Sequence, residues 1–451
     1  MEDDKLMRIK KFLILIIIAF ITFSIDISMI VKADNNDMKR VIVSSDGTGD
    51  YSTIQDAIQA GNKNILIKNG TYFISNTLII SDSNIDISGE SKSGVKIIQT
   101  NSSADGIAIY ASNVKLTNLT VDCQKYNGKG TAIVEGHSNN VVVSNCIVYG
   151  SNSNFSIYFA GKDYSSDTDT IKGVENGNLD SNNAVENCTV YSNNEGDGVV
   201  LALQRYGKLI NNTIEGTRIA FYMCNSSVVR GNVVNNSNSQ GIFVSIPAFN
   251  NIIEDNTINN CALSGIKIAA ETEHTNSEID NHTYVGTGFV IDNNRINNPA
   301  YFGMEIDELA ASTVVRNKLD KCDYVGIYML RSNNLHVVGN AITNSGYGVH
   351  ESSNSKYNSN ASKNIKWDTN NNSAVFVDYK ASNSIIGSND INNSTSGCAH
   401  AIFANDSQIN NQVINNIYVD NSISGDYSGK RINVNTDYSI LPLFYIGRLI
   451  R

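Results

Sequence analysis

Asn212-Thr213-Ile214, Asn232-Val233-Val234, Asn256-Thr257-Ile258, Asn294-Arg295-Ile296, Asn317-Lys318-Leu319, Asn340-Ala341-Ile342 and Asn389-Asp390-Ile391 repeat one short unit, and their spacing decides the fold. The steps between them are 20, 24, 38, 23, 23 and 49 residues. The step of 49 reads as two coils and that of 38 as one coil plus an insertion, with Gln412-Val413-Ile414 as a variant copy. Leu119, Cys146 and Cys188 take the asparagine's place in earlier, looser copies. Two or three aliphatic or β-branched residues precede each unit. A second half follows, as in Gly241-Ile242-Phe243-Val244, Gly265-Ile266-Lys267-Ile268, Gly303-Met304-Glu305-Ile306, Gly326-Ile327-Tyr328-Met329 and Gly348-Val349-His350-Glu351. These are short alternating strands punctuated by Asn and Gly turns, without helical periodicity. A unit of about 23 residues is too short for a propeller blade and lacks the fixed leucines of leucine-rich repeats. It predicts an all-β solenoid, a coil of three short strands stacked on its neighbours at about 4.8 Å.

The composition agrees. The 451 residues include 65 asparagines, 33 glycines and three prolines, with 41% hydrophobic residues and a net charge of −10. Asparagine tolerates the left-handed conformation of a tight bend, and stacked side-chain amides can hydrogen-bond from coil to coil. The asparagine excess therefore reads as a turn ladder, over a dozen or so coils between about residues 64 and 426. There is apolar content enough for a continuous core, which argues against a disordered chain. A pI near 5.1 argues against nucleic acid as a partner. Collagen is excluded for want of a glycine period.

At the N-terminus, Arg8-Ile9-Lys10-Lys11, an apolar run from Phe12 to Ile25 and Val31-Lys32-Ala33 form the three parts of a secretory signal. Residues 1–33 are read as a signal peptide cleaved after Ala33, with translation from Met1 or Met7. Its removal leaves 29 basic and 40 acidic residues, a net −11, and no expected membrane segment. Residues 34–63 are read as an N-terminal strand and capping helix, in which Ser52-Thr53-Ile54-Gln55 is a capping box and Ile54, Ala57 and Ile58 line one face. The β-helix is placed at 64–426 and a cap or tail at 427–451. The seven cysteines include no CxxC pair. Cys146 with Cys188, or Cys261 with Cys322, could be bridged if their coils were neighbours, but small buried side chains are the preferred reading. Nothing in the repeat sets an oligomeric state.

Asp46-Gly47-Thr48-Gly49-Asp50-Tyr51-Ser52-Thr53-Ile54-Gln55-Asp56-Ala57-Ile58, followed by Asn69-Gly70-Thr71-Tyr72 and Ile85-Asp86-Ile87-Ser88-Gly89-Glu90, resembles the opening of secreted right-handed parallel β-helix proteins of the pectate lyase-like superfamily. Pectin methylesterases begin in much this way. The resemblance implies a single right-handed parallel β-helix and, among the superfamily's activities, polysaccharide lyases, hydrolases, esterases and epimerases alongside non-catalytic surface proteins. The esterase's Asp-Phe-(Ile/Val)-Phe-Gly and Gly-Arg-Pro-Trp segments are absent. So is the alginate epimerase's Asp-Pro-His segment, and of the polygalacturonase pattern Asp197-Gly198 and Gly136-His137 are fragments.

Aligning the second halves by glycine puts Phe243, Lys267, Glu305, Tyr328 and His350 on one outward line, joined by Tyr158, with Asp307 two residues after Glu305 and Arg331 aligned with Glu308 at the following bend. Insertions at Ala160–Asn182, Ala270–Thr287 and Ser352–Ser362 follow the same strand and are expected to wall a groove. The expected partner is an extracellular polysaccharide. Lyase or C5-epimerase chemistry on an acidic glycan leads, with Tyr328 and His350 transferring protons and Arg331 or Lys267 neutralising the sugar carboxylate. Glycoside hydrolysis by Glu305 and Asp307 is the alternative, and non-catalytic glycan binding the third reading. No cofactor motif is present. Asp163, Asp167 and Asp169, or Glu271, Glu273 and His274, offer oxygens for Ca2+, short of the six or more that ion takes.

Overall fold

In the computed structural model the described residues are 39–418, apart from 127, 152–154, 193–196, 271–285, 347–372, 378–382, 393–399, 405–411 and 415–416. The chain divides into the units Met1–Arg40 and Val41–Arg451, and the second carries every described element. The signal region, the 427–451 segment, His350, Glu271, Glu273 and His274 lie outside the described residues.

The strands stack into three parallel sheets, here called A, B and C in the order the chain first enters them. One coil runs Val228–Arg230 in sheet A, Val233–Asn235 in sheet B and Ile242–Ile246 in sheet C, then returns to sheet A at Ile252–Glu254. In this coil the inward positions are apolar, and Val229, Val234, Ile242 and Val244 join one core running the length of the coils. The glycine that opens several sheet C strands has a steric cause. A Cβ on Gly241 would lie 2.4 Å from Cγ2 of Ile258, and one on Gly265 at the same distance from Cγ2 of Ile296.

The asparagines perform two separate tasks at neighbouring positions. At the bend between sheets A and B the residue before the repeat asparagine has positive φ, as in Asn211, Gly231, Asp255, Asn293, Arg316, Gly339 and Ser388. Asn, Gly and Asp predominate there because the left-handed conformation costs them least. The next residue is buried, and its amide belongs to a continuous ladder through Asn212, Asn232, Asn256, Asn294, Asn317, Asn340 and Asn389. Cys188 extends this ladder by donating its backbone N–H to Asn212 Oδ1 at 2.9 Å, and Cys146 stacks on Cys188. Among the described residues six cysteines are free and buried, in keeping with the expected packing role. A second, solvent-facing ladder joins Asn236, Asn260 and Asn298.

Three readings of the repeat are corrected. Asn340 bonds directly to Asn389, and Val325–Leu330 pairs directly with Ser373–Val377. The step of 49 is therefore one coil with a long insertion. Gln412–Ile414 pairs with Ile385–Gly387 in sheet A, so it is the strand before the bend and not a variant of the asparagine unit. The capping box also shifts by one residue. Helix α1 (Ile54–Gln59) is capped by Thr53, whose hydroxyl accepts from the Asp56 N–H. That shift frees Gln55 to accept from Ile79 N at 3.0 Å, which satisfies an edge group of sheet C. Ile54, Ala57 and Ile58 are buried against the first coil, as expected. Among the described residues no helix is long and apolar enough to cross a membrane.

Candidate functional site

The outer face of sheet C carries the expected line. Register pairs run Tyr158–Val200–Ala220–Phe243–Lys267–Glu305–Tyr328–Phe376 across eight coils. Phe376 occupies the place assigned to His350, because the strand after Val325–Leu330 is Ser373–Val377. Tyr328 and His350 are therefore not register neighbours on this line.

The charged residues are mutually engaged. Lys267 Nζ lies 2.7 Å from Glu305 Oε1, while Ser264 Oγ donates to Glu305 Oε2 at 2.8 Å. Arg331 Nε donates to Asp307 Oδ1 at 2.8 Å and its Nη2 bonds Oδ2, a bidentate clasp; Nε also lies 3.5 Å from Glu308 Oε1. Glu308 and Arg331 share a bend position, both with positive φ, as the alignment predicted. Burial is the strongest influence on Asp307 and raises its carboxyl above the ordinary value against the pull of Arg331. Burial acts to lower Arg331, but the contacts with Asp307 outweigh it and leave its pKa raised.

Tyr328 points outward by alternation and yet is only 8% exposed. Its ring packs 4.8 Å from Phe302 and 5.3 Å from Phe376, and with Val325 these form a small apolar cluster edged by Tyr301, Tyr324 and Leu330. Burial, with Glu305's charge as the next cause, raises Tyr301. Tyr328 is thus a packed ring beside the carboxylates, in place of the solvent-facing proton donor expected.

A second cluster, three to four coils toward the N-terminus, was not found by aligning glycines. Arg218 bonds Asp197 and Gln240, and donates to Tyr222 Oη at 3.2 Å; Tyr222 in turn donates to Asp197. The Arg218 guanidinium stacks 4.8 Å above Phe243, and Tyr222 meets Phe243 edge-on at 5.8 Å. Phe155 and Tyr158 stack at 4.6 Å against the same apolar patch. The strand Arg218–Tyr222 opens without a glycine, and Gly198 is bulged out of the pairing between Asp197 and Val199, so the glycine frame could not align it. Tyr222 two residues beyond Ala220 was the available signal.

The described insertion does not wall this face. Its helix α2 (Asp167–Glu175) takes Ser166 as N-cap, and Asp169 accepts from the Ser165 and Ser166 hydroxyls. Asn225 donates to Val174 O at 2.6 Å, and Asp180–Ser181 pairs with Gln204–Arg205, so the insertion folds back along the bends between sheets C and A. The calcium reading of Asp163, Asp167 and Asp169 is corrected by the same geometry. Asp169 caps the helix, while Asp163 is 93% exposed and meets His137 Nε2 at 3.1 Å. Among the described residues no group of three or more His, Cys, Asp or Glu side chains could hold a metal ion.

No curated protein matches the chain in sequence. Several solved structures share its coil. The Agl-KA catalytic domain superposes with a TM-score of 0.57 at 14% identity, over 79% of this chain and 64% of that one. The Dettilon tailspike protein gives 0.55 at 15%, over 81% and 70%. A variant catalytic domain of a GH87 α-1,3-glucanase in complex with nigerose gives 0.55 at 14%, over 89% and 69%. The likeness at such identities is one of fold, and the chain spans less than two thirds of the Agl-KA domain. The family described as right handed beta helix region matches residues 174–290 and 283–418, more than half of the sequence. With the three parallel sheets and their buried asparagine ladder, this match establishes that the chain belongs to the right-handed β-helix family.

Proposed function

We propose that the protein is secreted and acts on a polysaccharide lying lengthwise over the outer face of sheet C, hydrolysing it with Glu305 and Asp307. The observation that carries this reading is the pair of acids on one strand face between two aromatic clusters. Their Cα atoms are about 6.6 Å apart by strand geometry, a spacing from which side chains reach the separations used by glycosidases. Burial raises Asp307 against the pull of Arg331, the direction wanted in a group that must give a proton to a leaving oxygen. Donation requires substrate to draw Asp307 out of the Arg331 clasp. Glu305, touching Lys267 and Ser264, supplies the second carboxylate. Half-buried rings on both sides offer flat apolar faces to sugars. The glucanase and the tailspike with the same coil lend support.

Elimination and epimerisation fit less well. Both require a cation to neutralise the sugar carboxylate, and Lys267 and Arg331 are each engaged by a carboxylate of the protein. With Tyr328 packed among aromatics, Tyr328→Phe is expected to keep turnover within about threefold, whereas Tyr328→Ala should destabilise by about 3 kcal/mol through the cavity it leaves. A reducing-end assay and a denaturant titration of both variants check this. Loss of turnover in a folded Tyr328→Phe would restore the proton-transfer role. The reaction itself is tested by incubation with neutral glucans and with uronic-acid polymers. New reducing ends without ultraviolet absorbance support hydrolysis, absorbance from an unsaturated product supports elimination, and binding without either signal makes the protein a lectin-like surface.

A further inference from the structure

Polar satisfaction fails most clearly under the 160–182 insertion. Glu135 ends the strand Ile133–Glu135 in register with Ile109 and Phe159, and it is fully buried. Its Oε1 accepts from Ser138 N at 2.6 Å, while Oε2 is buried without a hydrogen-bond partner. One coil on, Asn140 N donates to Ser181 O at 3.0 Å and Ser181 N donates to Asn139 Oδ1 at 2.7 Å. These bonds stack Ser181 over Asn139 and so bring Asp180 over Ser138, one coil step of about 4.8 Å. Asp180 is also buried, and its Oδ2 likewise lacks a partner.

Two orphaned carboxylate oxygens on adjacent coils call for a counterpart, since each costs its full desolvation if left unpaired. Burial drives Glu135 up to about 8, with a contribution from Asp180's charge, and raises Asp180 too. The charged groups around them are few. Lys162 donates to Asn178 Oδ1 at 2.8 Å, and His137 is paired with Asp163. Tyr164 donates to the Asn178 carbonyl. Arg205, in register with Ser181, lies over the Tyr206 ring, and none of these cations bonds either orphaned oxygen. A divalent cation would satisfy both orphaned oxygens. We propose that Glu135 and Asp180 are ligands of a divalent, oxygen-seeking cation of the Ca2+ class, seated beneath the insertion and tying it to the preceding coil. This site lies apart from the outer face of sheet C and is independent of the activity proposed there.

Thermal unfolding of the full chain in EDTA, in CaCl2 and in MgCl2, at pH 6 and pH 8.5, tests the proposal. Ca2+ at about a hundredfold excess over Kd is expected to raise Tm by about 3 °C. The rise should be larger at pH 8.5, because both ligands must be ionised to bind. Glu135→Gln and Asp180→Asn, which keep shape and remove charge, should lose the shift while retaining β circular dichroism. An equal shift in both variants would place the ion elsewhere and overturn the assignment. The wild type could instead be indifferent to metal. A buried acid whose folded pKa is raised loses its stabilising proton as pH rises, so Tm would then fall toward pH 8, and the pair would hold a proton in place of the ion.

Discussion

Asn294→Ala is expected to destabilise the protein by about 4 kcal/mol, an exceptional loss for a residue at a bend. The side chain sits mid-ladder with every valence used. Its Oδ1 accepts from Asn256 N at 3.1 Å and Nδ2 at 2.9 Å, while its Nδ2 donates to Ile253 O and Asn317 Oδ1, each at 2.9 Å. Alanine removes all four bonds and leaves buried partners that water cannot reach, each orphaned group costing about 1–3 kcal/mol. The exposed ladder supplies the contrast. Asn298→Ala loses a 3.0 Å amide bond to Asn260 in solvent and accepts a left-handed φ, which together should cost about 1–2 kcal/mol. Denaturant midpoints of the two variants separate the cases. Equal losses would mean that the inner ladder is a consequence of the coil and not one of its causes.

Glu305→Gln should lower turnover by about 10³-fold with little change in KM, since it removes a charge used in the transition state and keeps the side chain's size. Asp307→Asn should lose activity comparably and also stability, because Arg331 is left half-buried with Glu308 3.5 Å away as its remaining acid. Breaking a buried ion pair on one side costs about 3–5 kcal/mol. Glu305→Gln is therefore the cleaner probe, and near-normal activity in that variant removes Glu305 from the chemistry.

The repeat made most of the fold legible because its signal is redundant, with a buried asparagine, a left-handed residue before it and a glycine with no room for Cβ. Where one signal stood alone, it misled. Gly348-Val349-His350-Glu351 mimics a sheet C strand, and alternation over four residues is too common a pattern to fix register. The amide contact between Asn340 and Asn389, invisible to spacing, decided it. The ion pairs were closer to legible. Lys267 stood one coil from Glu305 in the alignment, and Arg331 shared a bend with Glu308, so cross-strand charge pairing follows from register. Burial of Tyr328 did not follow, because outward positions are covered by whatever the adjacent coils supply, here Phe302 and Phe376. Asp197 and Arg218 escaped because one strand bulges at Gly198 and the other opens without a glycine.

Hydrolysis on the outer face of sheet C is tested most directly by product analysis of the purified protein on a panel of neutral and acidic polysaccharides, run beside Glu305→Gln. New reducing ends are expected from at least one polysaccharide, with no absorbance from an unsaturated sugar and with loss of that product in the variant. An unsaturated product, or reducing ends released equally by both proteins, would contradict this assignment.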